Sequence, residues 1–467
     1  MKNYDVIIAG GGISGAAAAI SAAREGVRVL LVEQYGFLGG MLTAGGVGPM
    51  MTFHAGKEQV VRGITDEVIQ RLVKKGKSPG HIFDTTGYTY TVTPFDNEGM
   101  KHELEEMLLE SGGEILYHAT VCTCRVEEGI LKEVEVYTKS DRITLSAKVF
   151  VDATGDANLA YLSNVKTVKG RETDGASQPM TMNMKFTDVN IAKVKEYIKD
   201  RKNIAEFPRI KDNLNIVDGA CRLSIGGFEE SFRKGRKKGE LSFERGEILF
   251  FETNNPGEVI VNSTRVSLPD STDPWQMSQA EIIGRRQARE LELFLKKNIP
   301  GFGNAVLIYT GPVQIGVRSS RQIAGVYTLT EDDLFYSRRF EDTVAHGGYK
   351  IDVHPPCDGY GEKFEKDFLK KRDLTYGAFY NIPYRSLINS DVKNIITVGR
   401  CISATFMAQG AIRVSPIAGA VGHAGGAAAS VSVKTGMLPT KIDYHDIQSV
   451  LKKQNAYLCL GEQDEKF

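Results

Sequence analysis

The sequence predicts an α/β protein built around a nucleotide-binding sheet, and three stretches carry this prediction. The first, Tyr4 to Glu33, is typical of a strand, a glycine-rich turn, a helix and a second strand. The second, Val149 to Ala160, is typical of a strand and a turn, and the third, Asn394 to Ala429, of a strand, a loop and a helix. Strands that alternate with helices in this way form parallel sheets covered by helices.

The first stretch is a βαβ unit with the glycine pattern of a dinucleotide site, as in Rossmann-type folds. Gly10, Gly12 and Gly15 form Gly-x-Gly-x-x-Gly between YDVIIA and the helix-forming AAAAISAAR. Gly10 permits the tight turn, Gly12 lets a pyrophosphate approach the backbone, and Gly15 lets the helix pack closely on the strand. The phosphates are then expected at the helix N-terminus, beside Ile13 and Ser14.

Glu33 ends the second strand, VRVLLVE, about 20 residues after the glycines, where a carboxylate accepts hydrogen bonds from the adenosine ribose. A phosphorylated ribose would be repelled there. A glycine-rich turn that binds nothing is the alternative, but strand, helix, second strand and terminal acid in register favour a dinucleotide. At this point NAD and FAD both remain open.

The segment after the second strand, EQYGFLGGMLTAGG, favours FAD. It carries a second glycine pair, Gly39 and Gly40, where an NAD-binding domain continues into its next helix. In this it resembles the flavoproteins of the glutathione-reductase and fumarate-reductase superfamily, whose FAD extends past the pyrophosphate to an isoalloxazine ring over such a loop. The resemblance implies that Gln34, Met41 and Thr43 also contact the cofactor.

Further segments sharpen the resemblance to one family, the FAD-dependent oxidoreductases sometimes grouped with the flavin subunit of heterodisulfide reductase. They cover nearly the whole chain: GPMMTFHAG, EQVVRGITDEV, VTPFD, VFVDATGDANLA, QPMTMNMKF, EIIGRRQARE, IGVRSSRQIAG, YNIPYRSLI and the most specific, NIITVGRCISATFMAQGAIRVSPIAGAVGHAGGAAA. The sequence departs from the family pattern at His423, where Gln or Glu is expected, and at Ser319, where an acidic residue is expected.

The third stretch is interpreted from its own residues as a strand, a loop (RCISATFMAQGAIRV) and a helix that Ser415 caps and Pro416 begins. Small residues on this helix allow close approach of a ligand or a neighbouring element, and an ordinary packing helix is the alternative. The family resemblance implies that the helix start points at the flavin pyrimidine, where it would stabilise the negative charge that gathers on reduction.

The resemblance also implies the remaining cofactor contacts. Gly399 and Arg400 are expected near the ribityl chain and the phosphates, and Arg413 near the ring. Val121 is expected where a backbone group binds adenine, and a plain core valine is the alternative. A turn beside the cofactor is expected at four consecutive residues: Ala153, Thr154, Gly155 and Asp156.

The nucleotide-binding domain is predicted to be discontinuous. Residues 1–164 form its first part, with an inserted segment at about 49–96, and residues 385–434 form its last part. Residues 165–384 contain strand-rich stretches and one clear helix, MSQAEIIGRRQARELELFLKKN, and are predicted to form an α+β substrate or cap domain. Residues 435–467 are predicted to hold a docking helix capped by Asp443.

Three side chains are candidates for chemistry on a substrate. His54 is the candidate base, because histidine titrates near working pH and follows the flavin loop directly; Arg318 is a candidate carboxylate clamp, and Tyr384 a candidate proton donor. The alternatives are a structural hydrogen bond, a buried ion pair and packing, respectively. Arg321 and Arg385 are further clamp candidates, with an ion pair the better interpretation for Arg321.

Composition and charge exclude several classes of protein. Lys and Arg total 58, as do Asp and Glu, so no excess positive charge exists to hold nucleic acid. No apolar stretch is long enough to span a bilayer, and the start of the chain is typical of a strand and not of a secretion signal. The six cysteines lack metal or iron–sulfur spacing and fit reduced thiols in a cytoplasmic protein.

The sequence thus predicts a cytoplasmic FAD-dependent oxidoreductase that moves hydride equivalents to or from a small organic substrate between its two domains. It has no second nucleotide motif and no Cys-x4-Cys dithiol, so electrons must enter from the substrate or from an external carrier. A reduced-flavin monooxygenase, an electron-transfer subunit that serves a partner protein and a protein in which FAD is structural are the alternatives. The resemblance leaves a homodimer open, as it does covalent flavin attachment through His54.

Overall fold

The computed structural model describes residues 2–268, 270–354 and 374–459. Its strands are β1 (Lys2–Ala9), β2 (Val29–Val32), β3 (His54–Ala55), β4 (Glu58–Gln59), β5 (Ile82–Phe83), β6 (Thr91–Val92), β7 (Glu114–Leu116), β8 (Thr120–Glu127), β9 (Ile130–Tyr137), β10 (Arg142–Asp152), β11 (Thr167–Lys169), β12 (Met184–Thr187), β13 (Ser224–Gly227), β14 (Ile248–Glu252), β15 (Val259–Val261), β16 (Val306–Thr310), β17 (Arg321–Ile323), β18 (Thr343–Gly347), β19 (Tyr380–Pro383) and β20 (Ile395–Thr397). Its described α-helices are α1 (Ile13–Arg24), α2 (Ile64–Lys74), α3 (Asn97–Glu110), α4 (Asn158–Leu162), α5 (Ile191–Lys199), α6 (Glu229–Lys237), α7 (Pro274–Asn298), α8 (Glu331–Phe335), α9 (Phe406–Ile412), α10 (Ser415–Thr435) and α11 (Tyr444–Lys453).

The main sheet has seven strands, and five of them are parallel. The order is β7, β2, β1, β10, with β20 beside the end of β10. The other two, β9 and β8, continue from the first half of β10 as an antiparallel meander. Because parallel strands point their carboxyl ends the same way, the turns after β1, β2, β10 and β20 lie at one edge of the sheet. The prediction of an α/β fold around a Rossmann-type sheet is confirmed.

Helices α1 and α10 cover this sheet and cross each other in backbone contact. A Cβ atom at Gly422 would overlap with the Ser14 carbonyl, and one at Gly426 would overlap with the Ala18 carbonyl. Only glycine at these two positions lets the helices approach so closely. The small residues of α10 therefore allow the close approach of a neighbouring helix, which is one of the two roles that the sequence suggested.

A second core lies around an antiparallel sheet in the middle of the chain. Its strands have the order β13, β14, β15, β12, β16. Its buried side chains include Met184, Phe186, Phe250 and Phe302, and α7 adds Leu291 to the same cluster. Asp273 caps α7 by accepting a hydrogen bond from the Gln276 backbone N–H, with Pro274 in the first turn.

The structure corrects two local predictions in the third stretch. Ser415 is not the N-cap of α10, because the helix already includes it and Val414 occupies the capping position without a side-chain hydrogen bond. The predicted loop between β20 and α10 contains a helix, α9. Thr405 caps α9 by accepting from the Ala408 N–H, a signal that the loop prediction overlooked.

Helix α11 packs against α10 and β18. Asp443 caps it by accepting from the His445 N–H, and Ile447 and Leu451 are buried beneath it. Gln454, just after the helix, accepts hydrogen bonds from the Ser21 hydroxyl and from His423 Nε2.

The described cysteines are all free thiols, and Cys357 lies outside the described residues. Within the described ranges, His, Cys, Asp and Glu side chains form no group of three or more that could hold a metal ion. None of the helices described is both long and apolar enough to cross a membrane.

Candidate active site

The carboxyl edge of the parallel sheet brings together most of the residues predicted to hold a cofactor. The turn after β1 supplies the three glycines, β2 ends next to Glu33, β10 leads into Ala153–Asp156, and β20 leads into Gly399 and Arg400. The loop that contains Gly39 and Gly40 lies against the first turn, since the Gly39 N–H donates to the Gly11 carbonyl over 2.9 Å.

The glycine loop leaves the start of α1 open. Gly10 adopts φ +101°, and a Cβ there would lie 2.6 Å from the Ala153 carbonyl oxygen, so the turn requires glycine. Gly15 is required for the same reason, because a Cβ would overlap with the Gly10 carbonyl. A Cβ at Gly12 would meet no atom closer than 3.9 Å, so its surroundings are free for a phosphate. No side chain caps the helix at Gly12.

Glu33 is buried at this edge, with the residue only 5% exposed. Its carboxylate accepts hydrogen bonds from the Gly11 N–H (2.6 Å) and the Tyr35 N–H (2.8 Å). Burial raises the pKa of Glu33 above its usual range. Strand β8 begins beside it, because the Ala119 N–H donates to the Glu33 carbonyl, and this places the half-buried Val121 two residues further along. Gln34 is exposed.

The turn after β10 is held by a buried carboxylate. Asp152 accepts hydrogen bonds from the backbone N–H and hydroxyl of Thr154 and from the Ala160 N–H. Burial raises the pKa of Asp152. Gly155 follows with φ +79°, and Asp156 accepts a 2.7 Å hydrogen bond from Arg400. The turn and the loop after β20 are therefore joined by an ion pair.

Two further observations fit the expected FAD. The Nε atoms of Arg400 and Arg413 are buried and have no hydrogen-bond partner among the described residues. The first turn of α10, at Ser415, has no side-chain cap, so its N–H groups have no side-chain acceptor at the capping position. Buried donors of this kind are normally satisfied, and the phosphates and the ring carbonyls of FAD carry matching acceptors.

A cavity of about 240 Å³ opens beside these residues. One side consists of the loop that includes Met41 and Pro49, together with Arg400, Arg413 and Ser415. Thr43 does not line it; its hydroxyl donates to the Leu38 carbonyl and closes the loop. The opposite side belongs to the antiparallel sheet and its neighbours: Thr181, Asn183, Arg209, Arg245, Glu247, Leu249, Phe251, Asn262, Val317 and Arg318.

Asp352 is the centre of a polar network at one wall of this cavity. Its Oδ2 atom accepts from the Tyr349 hydroxyl (3.2 Å) and from Arg413 (3.3 Å), and it lies 3.6 Å from His354 Nε2. Burial opposes ionisation of Asp352, but hydrogen bonding from His354 and the positive charge of Arg413 outweigh it and hold its pKa well below the usual range. Burial lowers the pKa of His354 to about 3, so its imidazole is neutral at physiological pH.

Of the three residues predicted to act on a substrate, Arg318 alone lines the cavity. His54 lies in a separate cluster, where its Nδ1 is 3.0 Å from the Thr91 hydroxyl and its ring meets that of His81 edge-on. Burial, together with His81, lowers the pKa of His54 to about 4. The Tyr384 hydroxyl is buried elsewhere and donates to the Pro439 carbonyl.

The other two arginines predicted to hold a carboxylate form their contacts outside the cavity. Arg321 donates to the Asp156 carbonyl and to the Asn158 side chain. Arg385 forms an ion pair with Asp342. Neither lines the cavity.

Several cavity residues were missed by reasoning from sequence, among them Arg209, Arg245, Glu247, Tyr349 and Asp352. Arg245 lies in FERGEILFF, just before a strand of apolar residues. A charged residue at the start of a buried strand is the one signal that could have identified it. Glu247 lies in the same segment, and the other three lie in segments without a pattern.

The family of the chain follows from comparison with known proteins. A sequence profile of FAD-dependent oxidoreductases matches residues 5–451. A search of curated proteins gave no match.

Similar solved structures include a geranylgeranyl bacteriochlorophyll reductase-like protein from Thermoplasma acidophilum, with 10% identity, a TM-score of 0.46 and coverage of 97% of this chain and 83% of that one. L-proline dehydrogenase from P. horikoshii has 12% identity and a TM-score of 0.46, with 97% and 99% covered. p-Nitrophenol 4-monooxygenase PnpA from Pseudomonas putida DLL-E4 has 12% identity and a TM-score of 0.45, with 97% and 85% covered. Because the profile spans nearly the whole sequence, this chain belongs to the FAD-dependent oxidoreductase family, and it is an enzyme whose cofactor is FAD.

Proposed function

We propose that the enzyme transfers hydride equivalents between FAD and a small organic substrate bound in the cavity described above. One observation carries the proposal: a single cavity is lined on one side by the expected flavin site, with Met41, Arg413 and Ser415, and on the other by the antiparallel sheet, with Leu249 and Phe251. A substrate there would lie against the flavin ring, as hydride transfer requires.

FAD supplies the hydride acceptor or donor when bound, and the residues of this chain prepare the site around it. Arg413 is held by the backbone carbonyl and the carboxylate of Asp352, so its positive charge is fixed beside the expected ring. The start of α10 adds oriented N–H groups. Together they favour the negative charge that develops at this place.

We propose His354 as the histidine that hydrogen-bonds the substrate. It lines the cavity, and its neutral imidazole offers one donor and one acceptor. His54 was the expectation from sequence, but its ring is occupied by the Thr91 and His81 cluster outside the cavity lining.

Three finer assignments are also proposals. The motif at residues 394–429 supports a kinship with the flavin subunit of heterodisulfide reductase. The free state of the described cysteines supports a cytoplasmic location. The sequence has no Cys-x4-Cys dithiol, which supports exchange of electrons with an external carrier.

The test is anaerobic bleaching of the flavin absorption of the purified holoenzyme. Acid denaturation first establishes whether FAD is released; colour that stays with the precipitate would indicate covalent attachment. Carboxylates, alcohols and amines are then offered as donors, and NAD(P)H is offered alone. We expect one class of small donor to bleach the flavin. Bleaching by NAD(P)H alone would favour a monooxygenase, and a flavin that photoreduces but reacts with no small molecule would contradict the proposal.

A further inference from the structure

We infer that the substrate is a small organic acid whose carboxylate is bound by Arg318 and Arg245. This inference rests on the proposed function, because it assigns a substrate class to the same cavity. It is carried by the charges that line the cavity, by the buried polar atoms that lack a partner there, and by the apolar remainder of the wall.

The cavity has more guanidinium groups than its own carboxylates can neutralise. Five arginines line it, against two carboxylates, Glu247 and Asp352. Three of the arginines have partners: Arg209 pairs with Glu247, Arg413 with Asp352, and Arg400 with Asp156. Across the described ranges of the chain, Arg245 and Arg318 have no ion pair, so two positive charges remain in the wall.

Arg318 is held in a fixed orientation without being neutralised. Its side chain is buried, with the residue only 9% exposed, and its Nη1 donates to the Pro179 carbonyl and to the Thr181 hydroxyl, both at 2.6 Å. These neutral acceptors orient one end of the guanidinium and leave the rest for the cavity. Burial lowers the pKa of Arg318 well below its usual value, and the nearby Arg413 and Arg245 lower it further. A bound anion would relieve both effects.

Arg245 and two asparagines supply the unsatisfied groups. The Arg245 Nε is buried without a partner, as are the Oδ1 atoms of Asn183 and Asn262, and all three residues line the cavity. Buried polar atoms are rarely left unpaired in folded proteins, so several in one cavity indicate a polar ligand. The Arg245 guanidinium matches a carboxylate in geometry and in charge, whereas the two amide oxygens can only accept and therefore indicate a hydrogen-bond donor elsewhere on the same ligand.

The apolar part of the cavity wall indicates the nature of the substrate beyond its carboxylate. Val47, Met51, Leu249, Phe251 and Val317 give the cavity an apolar surface beside the arginines. A compact organic acid with an apolar body satisfies both parts, whereas an uncharged substrate would leave Arg318 and Arg245 without an ion-pair partner in the described part of the chain.

The experiment measures binding to the holoenzyme by calorimetry and by the change in flavin absorption. The probes are benzoate and succinate, their neutral amides benzamide and succinamide, and inorganic phosphate. The variants are Arg318→Met, Arg318→Lys and Arg245→Met. Arg289→Met is the matched control, because Arg289 lies on an exposed face of α7 and pairs with Glu292. Circular dichroism and FAD content establish that each variant is folded.

We expect at least one carboxylate to bind clearly more tightly than its amide. Arg318→Met and Arg245→Met are expected to weaken that binding by roughly tenfold or more, since each removes a hydrogen bond to a charged group. Arg318→Lys is expected to weaken it less, and Arg289→Met not at all. If Arg318→Met fails to fold, Arg318→Lys and Arg245→Met still decide the question.

Three outcomes would overturn the inference: carboxylates that bind no better than amides, carboxylate binding that the arginine variants leave unchanged, and binding of phosphate alone. The outcome is separable from that of the bleaching experiment. Carboxylates that bind through Arg318 while no donor bleaches the flavin would retain the substrate class and refute hydride transfer. A neutral alcohol or amine that bleaches the flavin while no carboxylate binds would do the reverse.

Discussion

Gly155 shows how closely the expected cofactor site is packed. It adopts φ +79° in the turn between Asp152 and Asp156. A Cβ atom at this position would lie 2.9 Å from the Cζ atom of Arg400, whose guanidinium pairs with Asp156. Glycine is therefore required here for two reasons, a left-handed backbone and the room that the arginine occupies.

We expect Gly155→Ala to lower the FAD content of the purified protein strongly and its free energy of unfolding only slightly. The positive φ costs about 1 kcal/mol for an alanine, and the flexible end of Arg400 must move away, which breaks its pair with Asp156. The measurement is the flavin-to-protein absorption ratio after purification, together with urea unfolding.

Gly112→Ala is the control for this prediction. Gly112 has φ +84° after α3, but a Cβ there would meet no atom within 4 Å. We expect the same backbone cost and a normal FAD content. If Gly155→Ala also binds FAD like the unmodified protein, Arg400 does not depend on that turn.

Glu25 joins the ends of three helices. It follows the last residue of α1, and it accepts hydrogen bonds from Lys434 in the last turn of α10 and from Lys453 in the last turn of α11. Its side chain is only 4% exposed, whereas the two lysines are 47% and 68% exposed. Burial favours the neutral acid, but the hydrogen bonds from Lys434 and Lys453 outweigh it and lower the pKa of Glu25 to about 2.

This pKa gives a pH-dependent contribution to stability. An acid whose pKa is lower in the folded than in the unfolded state stabilises the fold above its unfolded pKa, here about 4.5, and loses that contribution as the pH falls towards about 2. We expect Glu25→Gln to lower the free energy of unfolding by about 1–2 kcal/mol at pH 7, a value reduced for the exposure of the lysines.

The measurement is urea unfolding of both proteins between pH 7 and pH 3. The difference between them should shrink below about pH 4.5. Glu196→Gln, on the exposed side of α5, is the control and should change little at any pH. A difference that stays constant down to pH 3 would show that Glu25 acts by packing and not by its charge.

Local features of the fold were predictable from the sequence, and features that depend on distant segments were mostly not. The βαβ unit was predictable because its signals are local: an apolar run, three glycines at fixed spacing and an acid at the end of the next strand. Among the cavity residues Arg245, Arg318 and Asp352, only Arg318 was predictable, since the other two come from segments far apart that only the folded chain brings together. The overall charge of zero likewise gave no sign that five arginines line one cavity.

His54 and Ser415 show how the folded structure sets the surroundings of single positions. The sequence places His54 directly after the flavin loop, but the β3–β4 hairpin carries its ring to Thr91 and His81. Ser415 has the composition of a helix cap, but the helix starts one residue earlier than the pattern suggests. In both cases the local signal is real and the tertiary arrangement decides the outcome.

FAD should stabilise the entire fold when it binds. The residues expected to contact it come from the turns after β1, β2, β10 and β20 and from the start of α10, which are joined only in the folded chain. A ligand that binds the folded state alone raises its stability by about 2.7 kcal/mol at a hundredfold excess over Kd. We therefore expect added FAD to raise the Tm of the deflavinated protein by several degrees, as measured by circular dichroism.

FMN, which lacks the adenosine that Glu33 is expected to bind, should raise the Tm less. Equal shifts with FAD and FMN would mean that the adenosine half contributes nothing, and the assignment of Glu33 and the glycine loop to that half would be wrong.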